Sequence, residues 1–136
     1  MYTINYWSIL VASAVSFGLG ALWYSPILFG KDWMALSKIS SADISAKAGS
    51  MLKLYVAQAI AVIISFLVLG FIISSTGVAG GTNGAFMAFL IWLGFSATES
   101  VGSLIWEKKP LKLILIQSVG TLVSLVVGGA IIGAWR

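Results

Sequence analysis

The stretch MLKLYVAQAIAVIISFLVLGFIISS, residues 51 to 75, decides the fold, because its 25 positions carry one charged side chain, Lys53, near the beginning. At 1.5 Å per residue a helix of this length reaches about 37 Å, enough to cross ~30 Å of bilayer hydrocarbon. Three further segments read the same way, roughly 5 to 29, 84 to 106 and 111 to 135. The whole chain agrees. Of 136 residues 60% are apolar and 9% charged, and the mean hydropathy is +1.04, outside the range of soluble globular domains. The sequence therefore predicts an all-α integral membrane bundle of four transmembrane helices, residues 1 to 136 forming a single domain. The opening MYTINYWSILVASAVSFG lacks a basic leader and runs on without an obvious cleavage point, so it is read as a retained span.

Charge placement orients the spans. Lys31, Lys38, Lys47, Lys53, Lys108, Lys109 and Lys112 fall on the side of the first and third loops, and only Arg136 falls with the termini and the second loop. By the positive-inside rule the lysine loops are cytoplasmic and both termini outside, as expected for a bacterial inner (plasma) membrane protein. Pro26 in WYSPILFG should kink or end the first span, with Trp23, Tyr24 and Trp33 at the interface. In SSADISAKAGSMLKLY, Ser40 or Ser41 can cap a helix that carries Asp43 in its first turn, with Ile44, Ala48, Met51 and Tyr55 on one stripe. This predicts a cytoplasmic helical extension before the second span. The glycine-rich STGVAGGTN reads as a short flexible loop, and with no P-loop lysine it is no phosphate cradle. GALWYSPIL (20 to 28) and GSLIWEKKPL (102 to 111) both run Gly, Trp, Pro, Leu, which would fit two helical hairpins related by an axis along the membrane normal.

One carboxyl stands apart from the loops. Glu99 lies well inside WLGFSATESVGSLIW, residues 92 to 106, and an acid near the middle of a span is costly unless paired, neutralised or wetted. At 100° per residue it shares a face with Trp92, Phe95, Ser96, Ser103 and Trp106, which directs it into the bundle. Counted from the lysine side, Glu99, Gln58, Gln117 and Trp23 all lie about 10 Å deep. One polar layer across all four helices is expected, with Tyr55, Ser96 and Ser103 joining it, Lys53 a candidate counter-ion, and Glu99 buried and neutral. The layer reads in two ways. It is a register device of interhelical hydrogen bonds, each contributing about 0.6 kcal/mol, or it is a protonation or ligand site open to the cytoplasm.

Other features point to partners. Gly129 and Gly133 form a small-xxx-small pair 120 to 160° from Gln117, so either a homo-oligomer interface or packing within the subunit follows. Lys108, Lys109 and Lys112 invite anionic lipid, or act simply as topology determinants. The expected partners are the lipid bilayer and a second copy of the chain, with no nucleic acid, metal or cofactor. Neither cysteine nor histidine occurs, which removes thiolate chemistry and the commonest general base. Two functional classes remain, a small oligomeric transporter or channel and a non-catalytic scaffold, accessory or lipid-binding protein; an enzyme ranks last.

With LWYSPILFGKDWM (22 to 34), WLGF (92 to 95) and EKKPLKLILIQ (107 to 117) in view, the chain resembles domain of unknown function family 1761 over nearly its whole length. The resemblance implies a small membrane protein with four spans. It implies no activity and assigns no role to Trp23, Pro26, Glu107 or Pro110. Its pattern shares Glu107 but no acid at the position of Glu99.

Overall fold

The computed structural model describes residues 3–46 and 48–135. Its elements are α1 (Tyr6–Trp23), two short helices α2 (Gly30–Leu36) and α3 (Ser41–Ala46), a 3-10 turn (Ala48–Ser50), α4 (Met51–Ser75), α5 (Gly81–Ile91), a π-helical segment (Trp92–Ala97), α6 (Thr98–Trp106) and α7 (Leu111–Ala134). Four helices are long and apolar enough to cross a membrane, the third being α5, the π segment and α6 taken together. The all-helical four-span reading therefore holds.

The first span is shorter than expected and ends at Trp23. Pro26 has no amide to donate and disfavours helix just before it. The freed backbone folds into a compact turn, in which the Phe29 amide donates to the Trp23 carbonyl at 3.0 Å and the Gly30 amide to the Ser25 carbonyl at 2.9 Å. A Cβ at Gly30 would lie 2.7 Å from the Ser25 carbonyl carbon, so only glycine fits. Phe29 then packs on Trp23 with ring centroids 4.7 Å apart, and Trp33 meets Tyr24 at 5.5 Å. The WYSP…FG run is thus a structural knot at the end of α1. Within it, burial raises the Tyr24 phenol above its ordinary pKa.

The extension before the second span begins as expected. Ser40 and Asp43 cap reciprocally, with the Asp43 amide donating to Ser40 Oγ at 3.1 Å and the Ser40 amide to Asp43 Oδ2 at 2.9 Å. It does not run on into α4, because α3 ends at Ala46 and a 3-10 turn follows. Lys47, Arg136 and the side chains of Ile44 and Ala48 lie outside the described residues.

Two ends of the bundle differ. At the end carrying the chain termini, Ile9, Ala12, Phe66, Leu69, Ile73, Ala88 and Ile132 form one core from all four spans. Asn5 Nδ2 donates to the Trp135 carbonyl at 3.1 Å and Ser74 Oγ to the Thr3 carbonyl at 3.2 Å, so the two chain ends close on α4 together. The glycine-rich loop is held there as well, since the Gly80 amide, at φ 93°, donates to the Gly133 carbonyl at 2.8 Å. This bond anchors the last residue of the loop, at the start of α5, to α7.

At the end carrying the lysine loops, α1, α2 and α7 stay packed, and Lys112 pairs with Asp32 at 3.7 Å. The beginning of α4 stands apart. Every residue from Leu52 to Gln58 on α4 is exposed, which no helix packed along one side would show. Tyr55 keeps an edge contact to Phe17, at 6.4 Å between ring centroids. The hairpin symmetry suggested by the two Gly-Trp-Pro-Leu runs is not found: α1 packs along α7, whereas the corresponding pair, the third span and α4, barely touches.

Candidate functional site: a polar groove between the third and fourth spans

α5 and α7 meet at glycines. A Cβ on Gly133 would lie 2.9 Å from the Gly84 Cα, and one on Gly129 would lie 2.7 Å from the Ala88 Cβ. The helix backbones are therefore in contact at the terminal end, the geometry that small residues permit in lipid. This corrects the oligomer interface expected at Gly129 and Gly133, which are buried inside the chain. The reason is that α7 is central, with α1, α4 and α5 around it.

Moving toward the lysine end, the third span turns π-helical over Trp92–Ala97. A π segment winds with fewer degrees per residue, so this one delays the helix by about 100°. The delay re-aims everything after it. On a regular helix Phe95 and Glu99 would follow Gly84 and Ala88 toward α7. In the structure Phe95 is 76% exposed, and Ser96, Ser100 and Ser103 are half-buried in its place. The interhelical gap is spanned at the step, where Trp92 Nε1 donates to the Ser118 carbonyl at 2.9 Å.

Beyond this bond the two helices border a groove of ≈ 190 Å³, lined by Ser96, Glu99, Ser100 and Ser103 from the third span and by Gln117, Ser118 and Thr121 from the fourth. At about 30 Å³ each, several waters fit. Glu99 lies at its rim, exposed, with no hydrogen-bond or ion-pair partner among the described residues. Its expected burial is corrected, and the cause is the π segment.

The groove follows the inner side of the bundle. On α7, Gln117, Thr121, Ser124 and Gly128 share one face at 100° per residue. Going up this face, Thr121 lines the groove, Ser124 Oγ hydrogen-bonds Ser16 Oγ of α1, and Gly128 lies against the Phe66 ring of α4. The first two levels are polar, and the third is closed by an aromatic ring. The groove is consequently open toward the lysine end and sealed toward the terminal end.

The other expected members of the layer are elsewhere. Trp23 Nε1 donates to the Ile116 carbonyl at 2.9 Å, and its ring occupies the space that a Cβ on Gly120 would need. Gln58 and Tyr55 are exposed on α4 and line no part of the groove. Lys53, exposed too, projects from the side of α4 opposite the line through Tyr55, Phe66 and Ile73, so it is no counter-ion to Glu99. Of the loop lysines, Lys109 pairs with Glu107 at 2.9 Å and Lys112 with Asp32. Among the described residues the groove is therefore lined by two helices, not four. Ser100, Ser118, Thr121 and the Trp92 bond are not among the members expected from sequence; the density of hydroxyls in FSATESVGS was the available signal on the third span.

An all-helical four-span bundle with an open polar groove in one half defines a small membrane protein. Residues 7–133 match the model of the family described as "Protein of unknown function (DUF1761)", and the chain belongs to that family. No curated protein and no solved structure matches it.

Proposed function

We propose that the protein is a small, non-enzymatic transporter or channel subunit whose ion pathway passes through the groove between the third and fourth spans. One observation carries this reading: Glu99, the only acid within the spans, shares an open groove with five hydroxyls and an amide. Intramembrane acids that border wetted cavities mark proton relays and cation pathways. Among the described residues the groove has no second titratable side chain with which to run acid–base chemistry on a substrate. The seven-to-one division of lysine and arginine favours a cytoplasmic mouth for the groove and outside termini.

The test is flux in proteoliposomes under an imposed pH gradient. Glu99→Gln replaces a carboxyl by an amide of nearly the same shape, so the fold should survive. Flux should fall about a hundredfold or more, the lower range for removing a proton-transferring group. Equal flux in both proteins, or none in the native one, contradicts the pathway. A scaffold or accessory role is the second reading. It is favoured by Ser100 Oγ and Thr121 Oγ, which donate to the Ser96 and Gln117 carbonyls one turn back at 2.9 and 3.0 Å and so serve their own helices. In that reading Lys108, with Lys109 and Lys112, holds anionic headgroups at the membrane surface.

A further inference from the structure

We infer that the groove is a binding site for a small monovalent cation, an inference that rests on the pathway reading and gives it a substrate class. Acceptors outnumber donors in the groove. Ser100 and Thr121 spend their hydroxyl protons on the carbonyls of Ser96 and Gln117, so each offers the groove only lone pairs. The Ser96, Ser103 and Ser118 hydroxyls can turn to present lone pairs as well, and the Gln117 side chain adds a carbonyl oxygen. Among the described residues no basic side chain lines the groove. Its obligate donor is the Gln117 amide nitrogen alone. A site rich in oxygen acceptors with one carboxylate attracts cations and repels anions.

Charge sets the valence. In low-dielectric surroundings the favoured occupant leaves the least uncompensated charge. One carboxylate balances one positive charge, whereas a divalent ion would leave an excess and normally recruits several carboxylates. The described residues contain no group of three or more acidic, histidine or cysteine side chains that could hold such an ion. The groove of ≈ 190 Å³ accommodates an alkali ion with part of its hydration shell. Above Thr121 the Ser16–Ser124 hydrogen bond crosses this face of α7 and the Phe66 ring on Gly128 closes it, so an ion entering from the lysine end reaches a floor.

The experiment is thermal unfolding of the purified full-length protein in a neutral detergent, titrated with sodium, potassium or methylammonium chloride. Ionic strength is held constant with choline chloride, whose quaternary nitrogen has no proton to donate, and magnesium chloride serves as the divalent arm. At least one monovalent cation should raise Tm saturably, by on the order of 2 to 5 °C. Glu99→Gln should abolish the shift and Ser103→Ala should reduce it, while Leu104→Ala on the outer face should leave it unchanged. No saturable shift, an equal shift in Glu99→Gln, or a larger shift with magnesium overturns the inference. A Glu99-dependent proton flux with no cation-specific shift leaves the pathway standing and removes only the cation site. Loss of both removes both.

Discussion

Gly129→Leu should prevent the folded chain from accumulating, while leaving no intact subunit to run as a smaller species. The Cβ alone would lie 2.7 Å from the Ala88 Cβ and press on the Gly84 backbone, and neither neighbour can rotate away as a long side chain could. The isobutyl group would force α5 off α7 where the backbones touch. Overpacking of a tight interior costs about 1 to 3 kcal/mol where side chains can shift, and more is expected here, against a total stability of about 5 to 15 kcal/mol. Even Gly129→Ala should lower stability clearly. Gly18 supplies the control, since a Cβ there meets nothing within 4 Å, so Gly18→Ala should be neutral or slightly stabilising through helix propensity. Reversible unfolding in mixed micelles measures both. A stable Gly129→Leu monomer would show that the third span packs somewhere other than on α7.

Phe66→Ala should be almost as damaging. Phe66 is 2% exposed in the core that joins all four spans, and truncating a buried phenylalanine costs about 3 to 5 kcal/mol. Its ring fills the notch of Gly128, where a Cβ would lie 2.9 Å from Phe66 Cδ1. The two positions should therefore be coupled. Gly128→Ala alone should destabilise, and adding Phe66→Leu should recover part of the loss, with an interaction energy of about 0.5 to 3 kcal/mol in a double-mutant cycle. Because this contact seals the groove on the terminal side, Phe66→Ala protein that survives in detergent should also admit water from that side. Additive effects would mean that ring and notch do not face each other.

The spans were legible because their determinants are local. A 25-residue apolar run, a proline after Trp23 and a serine–aspartate cap each act within a turn or two of chain. The site was less legible, for two reasons. Helical-wheel arguments assume a constant angle per residue, and the π segment at Trp92–Ala97 breaks this just before Glu99. Neither Gly94 nor the residues beside it carry a signal for that step as a proline would. The second reason is that small residues show only that something approaches, without naming the partner. Gly129 and Gly133 fit a contact between copies as well as one within the chain, and they are the seat of α5. Similarly, depth placed Gln58 and Gln117 in one layer, but the beginning of α4 stands away from the other helices. The residues with which the family resemblance was recognised, Trp23, Pro26, Phe29 and Gly30, turn out to build the knot that ends α1 and seats Trp23 on Gly120.

The central claim is that a wet groove runs between the third and fourth spans from the lysine end and stops at Ser124, and cysteine accessibility tests it most directly. The chain has no cysteine of its own, so single substitutions can be made in the native background at Ser100, Ser103 and Thr121 in the groove, at Val101 and Leu104 on the outer face, and at Ala88 in the sealed half. Maleimides react with the thiolate, which forms in water and not in hydrocarbon. A membrane-impermeant maleimide added to inside-out membrane vesicles should label Ser103→Cys, Ser100→Cys and Thr121→Cys, and should leave Val101→Cys, Leu104→Cys and Ala88→Cys unmodified. Groove positions as unreactive as Val101→Cys, or labelled only from the opposite side of the membrane, would contradict the account.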